Sequence, residues 1–212
     1  MTAVIVAGGS CPAAFLQKII RRLSGPLFVV GVDRGVRLLK ETGIRPDLIV
    51  GDFDSVTPAE REEFLSTWPG TLLSPVKDDT DLEHAVNVLR EKVPERVILL
   101  GATGTRLDHT LTNIRLLDRF FPAGIPAEIL DENNRITLRE GKILLRRDEQ
   151  YGKYVSVLPW DEEVTVTMKG FFYPAESLVL KRNMSRGVSN EITEDEAMIF
   201  AEGKILLMET KD

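Results

Sequence analysis

The sequence predicts a mixed α/β protein: a Rossmann-like half built on a parallel sheet, followed by an all-β sandwich or barrel. Two observations carry this reading. Over residues 1–125 short apolar runs alternate with helical patterns, the rhythm of a parallel sheet covered on both faces. From about Ala127 the helical periodicity fades and period-two segments take over, as antiparallel strands require. The expected division is therefore residues 1–125 and residues 126–212.

Each element has its own warrant. Ala3-Val4-Ile5-Val6-Ala7 reads as a buried strand ending at Gly8-Gly9. Pro12 suits a first helical position, and Phe15, Leu16, Ile19, Ile20 and Leu23 recur at helical spacing. Leu27 to Val32 is a second strand, Arg34 to Thr42 a short helix closed by Gly43, and Leu48 to Gly51 a third strand. Thr57-Pro58-Ala59-Glu60 is a capping box with proline at the first helical position, opening a helix to about Thr67. Thr71 to Ser74 is a fourth strand. Thr80-Asp81-Leu82-Glu83 is a second capping box, whose helix carries Leu82, Ala85, Val86 and Leu89 on one face. Arg96 to Leu100 is a fifth strand and Leu107 to Phe120 a further helix. In the second half Lys153–Leu158, Val164–Thr167, Ser177–Lys181, Ala197–Ala201 and Lys204–Glu209 read as strands, with Glu202-Gly203 as a hairpin turn between the last two.

Composition narrows the function classes. Apolar residues make up 43% of 212 and charged residues 28%, ordinary for a soluble globular protein. No run approaches the roughly 18–20 apolar residues of a membrane helix. Met1-Thr2-Ala3-Val4 places no basic segment before the first apolar run, so a secretory leader is not expected. A single cysteine, Cys11, excludes an internal disulfide framework and points to a cytoplasmic setting. A net charge of −6 argues against a duplex nucleic-acid binder. Two histidines, His84 and His109, with one cysteine cannot assemble a four-ligand Cys/His zinc site.

Ligands of open α/β sheets bind outside the carboxyl ends of the strands. There the sequence places Gly8-Gly9-Ser10, Asp33-Arg34-Gly35, Gly51-Asp52-Phe53-Asp54-Ser55, Lys77-Asp78-Asp79-Thr80-Asp81 and Gly101 through His109. Asp33, Asp52, Asp54, Asp78, Asp79, Asp81 and Asp108 would thus gather on one edge. Like charges resist such crowding, and a divalent cation relieves it. All-oxygen ligands favour magnesium, manganese or calcium over zinc. Asp52 and Asp54, two apart on an extended segment, point to one side and suit a shared metal. With glycine loops nearby, Lys77 and Arg106 suit phosphate oxygens. Neither Gly-x-x-x-x-Gly-Lys-Ser/Thr nor Gly-x-Gly-x-x-Gly occurs, so this is not a P-loop protein.

Ordinary readings compete at each point. An Asp-x-Asp segment is often turn chemistry, Asp79 and Asp81 suit a helix dipole, Glu83 suits its capping box, His84 reads as structural, and Cys11 reads as a packed thiol. Gly101-x-x-Gly104 alone says little about phosphate. Co-location on one sheet edge favours a site.

These segments, in this order, resemble the thiamine pyrophosphokinase family. The resemblance is carried by Val32-Asp33-Arg34-Gly35, Pro46-Asp47 leading into Gly51 to Ser55, Lys77 to Asp81, Gly101 to His109 with Asn113, Gly170 with Tyr173-Pro174, and Gly187-Val188-Ser189-Asn190-Glu191. It implies an α/β domain binding ATP and Mg2+ over residues 1–125, and a β-sandwich for thiamine binding and dimerisation over residues 126–212. It implies diphosphate transfer from ATP to the hydroxyethyl oxygen of thiamine, giving thiamine diphosphate and AMP, in a homodimer with active sites between subunits. Metal binding falls to Asp52, Asp54 and Asp81, and catalysis to Asp81, Arg106, Asp108 and His109. Asp33, Lys77, Asp78, Gly101, Gly104 and Asn113 fall on the nucleotide, and Ser189 and Asn190 on thiamine. Many members carry Asp-Gly-Gly where this chain has Asp33-Arg34-Gly35; the arginine either obstructs a close backbone approach or adds a phosphate contact. The Asp-x-Asp segment by itself equally suits a magnesium-dependent nucleotide phosphohydrolase or a non-catalytic nucleotide sensor.

Overall fold

The computed structural model describes residues 1–74 and 78–212. The chain forms two compact units, Met1–Glu132 and Asn133–Asp212.

The first unit alternates strands and helices. β1 (Thr2–Val6), α1 (Ala13–Arg22), β2 (Leu27–Val32), α2 (Arg34–Glu41), β3 (Leu48–Gly51), α3 (Pro58–Thr67), β4 (Gly70–Leu72), α4 (Asp81–Glu91), β5 (Arg96–Leu100), α5 (Leu107–Arg115) and β6 (Ala127–Leu130) follow one another. The strands lie in the order β6-β5-β1-β2-β3-β4, and every adjacent pair is parallel. Val4 of β1 stands between Val29 of β2 and Ile98 of β5. Ala3 to Val6 are wholly buried, as expected of a strand covered on both faces. Chain order reverses at β1: one neighbour is β2, the other β5. Such a switch point opens a crevice at the strand ends.

Local chemistry explains the helix boundaries. Thr57 and Glu60 form the expected reciprocal box, with Thr57 N donating to Glu60 at 2.9 Å and Glu60 N to Thr57 Oγ1 at 3.3 Å. At α4 only half of the expected box exists. Thr80 accepts from Glu83 N at 3.1 Å, but the Glu83 carboxylate is held by Arg119 instead. The helix expected to reach Phe120 ends at Arg115 and tightens into a 3-10 turn over Leu116–Arg119. β6, not singled out in the sequence and lying just past the boundary expected at 125, extends the parallel sheet beside β5.

The second unit is antiparallel. β7 (Asn134–Arg146), β8 (Tyr154–Pro159), β9 (Glu163–Lys169), β10 (Ala175–Lys181), β11 (Asn190–Glu191) and β12 (Glu196–Thr210) enclose a core that includes Ile143, Val157, Val166, Ile199 and Leu207. β12 pairs with β7 along its length, with β9 over Met198–Glu202 and with β8 over Ile205–Thr210. The hairpin expected at Glu202-Gly203 is therefore absent: the two short strands are one. Gly203, at φ 129°, carries a register shift rather than a reversal. Asp161 fixes it by accepting from Lys204 N at 3.0 Å. No described helix is long and apolar enough to cross a membrane.

Candidate active site

The crevice at the switch point is bounded by two backbone segments zipped together. Gly9 N donates to Gly101 O at 2.8 Å and Ser10 N to Thr103 O at 2.7 Å. A side chain at Gly9 would bring a Cβ within 2.3 Å of Thr103 O, so only glycine permits this approach. Behind it the buried Asn113 amide donates to Ala102 O at 2.7 Å. Asn113 therefore braces the Gly101–Gly104 loop through the backbone.

Asp33, between β2 and α2, has φ 47° and ψ −120°, a conformation costly for a residue with a Cβ and often found at functional sites. Gly51 has φ 152°, and a Cβ there would stand 2.1 Å from Asp33 Oδ1. Glycine at 51 thus leaves room for the Asp33 carboxylate. Phe53, also at positive φ, sinks its ring against Phe64, centroids 6.4 Å apart. Its N–H donates to Asp33 Oδ1 at 3.4 Å.

The outcome is a cluster in which Asp33, Asp52 and Asp81 each offer an oxygen, all within 4.8 Å of one another. All three side chains are half-buried. Burial first, and then the neighbouring Asp81 charge, push the Asp33 carboxyl up to about 7. Three carboxylate oxygens fit a hard divalent ion, whose charge removes the repulsion that otherwise forces a proton onto the set.

The expected metal set was Asp52, Asp54 and Asp81. Asp33 joins Asp52 and Asp81 in the cluster, and Asp54 is not one of the three. Asp54 is exposed, and its N–H donates to Asp52 Oδ1 at 3.1 Å, a local turn contact. Asp78 is exposed, and Asp79 lies 3.7 Å from His84 Nδ1. Lys77 lies outside the described residues. Gly104 N donates to Thr110 Oγ1 at 3.3 Å. Arg106 forks onto Asp108 at 2.6 and 3.3 Å, and Asp108 also accepts from His109 N at 2.9 Å. That Arg106 contact, above all, holds Asp108 down at about 2. A carboxylate so stabilised is a poor proton acceptor; its geometry suits holding the guanidinium. His109 is exposed beside it.

In the second unit Ser189 is exposed and has φ 58°. Its N–H donates to Ser156 Oγ at 3.0 Å. Asn190 is 5% exposed, and its amide is engaged with backbone: it donates to Tyr173 O at 2.8 Å and accepts from Tyr173 N and Glu191 N at 3.0 Å each. It clamps the turn that presents Phe172 and Tyr173. These rings, 64% and 65% exposed, meet edge to face at 4.8 Å. Sequence reading did not single out this aromatic pair; the Gly170 and Tyr173-Pro174 motif was the signal beside it.

Three clustered carboxylates at the carboxyl ends of a parallel sheet, beside glycine loops, have the chemistry of an enzyme acting on phosphates. Residues 22–129 match the model of the thiamin pyrophosphokinase catalytic domain, and residues 140–206 that of the thiamin pyrophosphokinase vitamin B1 binding domain. Thiamine pyrophosphokinase of Bacillus subtilis is 31% identical, with 98% of each chain covered. Thiamin pyrophosphokinase 1 of Caenorhabditis elegans is 26% identical over 76% of this chain and 68% of its own. The crystal structure of the Bacillus subtilis enzyme superposes with a TM-score of 0.87 at 29% identity, covering both chains fully. That of the Geobacillus thermodenitrificans enzyme gives 0.86 at 30% identity, covering 100% of this chain and 98% of the other. The chain belongs to the thiamin pyrophosphokinase family, whose activity is ATP:thiamine diphosphotransfer.

Proposed function

We propose that Asp33, Asp52 and Asp81 are the carboxylates around which this chain transfers diphosphate from ATP to thiamine. The observation that carries the proposal is their convergence within 4.8 Å. The thiamine hydroxyl oxygen forms a bond to the β-phosphorus, the bond from that phosphorus to the bridging oxygen of AMP breaks, and the hydroxyl proton is lost to the surroundings. Asp33, Asp52 and Asp81 would hold Mg2+, which would supply charge neutralisation at the phosphate oxygens. The chain's own residues position and neutralise. The glycine loops Gly8–Ser10 and Gly101–Gly104 offer backbone at the crevice, Asn113 braces the second loop, and Asp108 orients Arg106 toward phosphate.

For the acceptor, the exposed Phe172 and Tyr173 offer faces to the thiamine rings, whose cationic thiazolium favours aromatic contact. Ser189, exposed and one residue before Asn190, offers a hydroxyl, and Asn190 acts by holding the turn. On this reading the α/β unit binds ATP and Mg2+, and the β unit binds thiamine and dimerises. The resemblance implies a homodimer with active sites between subunits, and the single cysteine suits a cytoplasmic setting. The test is incubation with ATP, Mg2+ and thiamine, followed by mass analysis. Thiamine diphosphate and AMP in equal amounts are expected. AMP or ADP released equally fast without thiamine would replace the reading with hydrolysis.

A further inference from the structure

We infer that Arg34 is the cation that recognises the part of the ATP phosphate chain that AMP lacks. The inference rests on the nucleotide reading above.

Arg34 opens α2, directly after Asp33, yet its side chain turns back toward the switch-point crevice. Nη2 donates to Gly8 O at 2.6 Å. The chain of the side group lies alongside Gly8, where a Cβ would meet Arg34 Cβ at 3.4 Å and Nε at 3.5 Å. Close packing fixes its base, since Gly35 is so tight against β1 that a Cβ there would reach within 1.9 Å of Val6 O. The guanidinium is therefore held at the loop that follows β1, one residue along the chain from a carboxylate of the metal cluster.

Charge separates Arg34 from Arg106, the other arginine at this sheet edge. Arg106 is neutralised by a two-pronged contact with Asp108. Arg34 pairs with no carboxylate among the described residues, and its one hydrogen bond is to a backbone carbonyl. A guanidinium has five N–H donors, so most remain for a ligand. Among the described residues it stays unpaired although its neighbour in sequence, Asp33, clusters with Asp52 and Asp81. Planar arginine is suited to bidentate phosphate recognition.

Position chooses the phosphates. A metal held by the three carboxylates would bring the outer phosphates of the nucleotide to this edge, and Arg34 directly follows one of those carboxylates in the chain. After transfer the outer phosphates leave with thiamine, and Arg34 loses its partner. Arg34 thus favours ATP over AMP and lets the spent nucleotide go.

The experiment is calorimetric titration of the full chain with ATP and with AMP, in Mg2+ and without thiamine. Wild type, Arg34→Gln and Arg34→Lys are compared, with melting curves confirming folding. Arg34→Gln keeps a donor for Gly8 O and removes the charge. Its ATP affinity is expected to fall about tenfold or more, with AMP affinity within about twofold. Arg34→Lys should retain much of the ATP affinity, and the gap between wild type and Arg34→Gln should shrink as salt rises. Unchanged ATP binding in Arg34→Gln, or equal loss for ATP and AMP, overturns the inference and leaves Arg34 as a brace for the Gly8 loop. If wild type binds ATP in an Arg34-dependent way but makes no thiamine diphosphate, the acceptor reading fails and this one stands. If wild type makes thiamine diphosphate and Arg34→Gln binds ATP normally, the reverse holds. A wild-type chain that binds no ATP sinks both.

Discussion

Asp33 shows how one side chain combines cost and use. Its backbone sits at φ 47°, and its carboxyl is raised from the usual 3.8 to about 7, by burial and then by Asp81. A group whose folded pKa is raised holds its proton better when folded. The stability it contributes is complete below about 4 and is lost as pH rises through about 7. The chelated protein should therefore melt progressively lower between about pH 4 and pH 8. Mg2+ should flatten that fall, and Asp33→Asn should abolish it while turnover drops by orders of magnitude. Melting curves with and without chelator check this. A chelated melting temperature that ignores pH over that range, or an active Asp33→Asn, would remove Asp33 from the metal set. The strand-end rule places Asp33, Asp52 and Asp81 on one edge together with four other aspartates, and the structure brings these three within 4.8 Å of one another. The resemblance puts Asp33 on the nucleotide rather than on the metal; the room for its carboxylate is set by the glycine opposite, Gly51, which the aspartate's own sequence neighbourhood does not show.

At the scale of elements, the Asn190 amide clamps the turn between β9 and β10 beside the backbone bonds from Phe172 N to Glu191 O and from Thr193 N to Gly170 O. Asn190→Ala would leave Tyr173 N–H and C=O without their partner, costing about 1–3 kcal/mol. The thiamine KM should rise with the ATP KM unchanged. Equal stability and an unaltered thiamine KM would deny both the clamp and the aromatic site. Asn113 and Asn190, expected at the ligands, each donate an amide N–H to backbone. An asparagine in a motif looks the same in sequence whether it faces a substrate or a carbonyl. The parallel strands and the Thr57 box were legible, since alternation of apolar runs and a reciprocal Thr/Glu pair are local signals. β12 was not. Glycine after glutamate between two apolar strands reads as a reversal, and only the side-by-side pairing of β7, β8 and β9 makes the strand run on. β6, which lies just past the boundary expected at 125, was not singled out as a strand: four residues carry no mark of parallel or antiparallel partners.

The whole molecule divides its chemistry between two units of different construction, Met1–Glu132 and Asn133–Asp212. The acidic cluster belongs to the first and the exposed aromatic pair to the second. The proposed homodimer should sediment at twice the 23.7 kDa of one chain, and its melting temperature should climb with protein concentration. A particle of single-chain mass at working concentration would withdraw the between-subunit site. The long strand β12 carries a consequence for biosynthesis. It supplies partners to β7, β8 and β9, yet it is the last of them to leave the ribosome. The α/β unit has all its strands in hand by Leu130 and is free to fold while translation continues. Before β12 is delivered the β unit has only its β9–β10 and β8–β11 pairings to draw on, and that interval is when a nascent chain most needs protection from its neighbours.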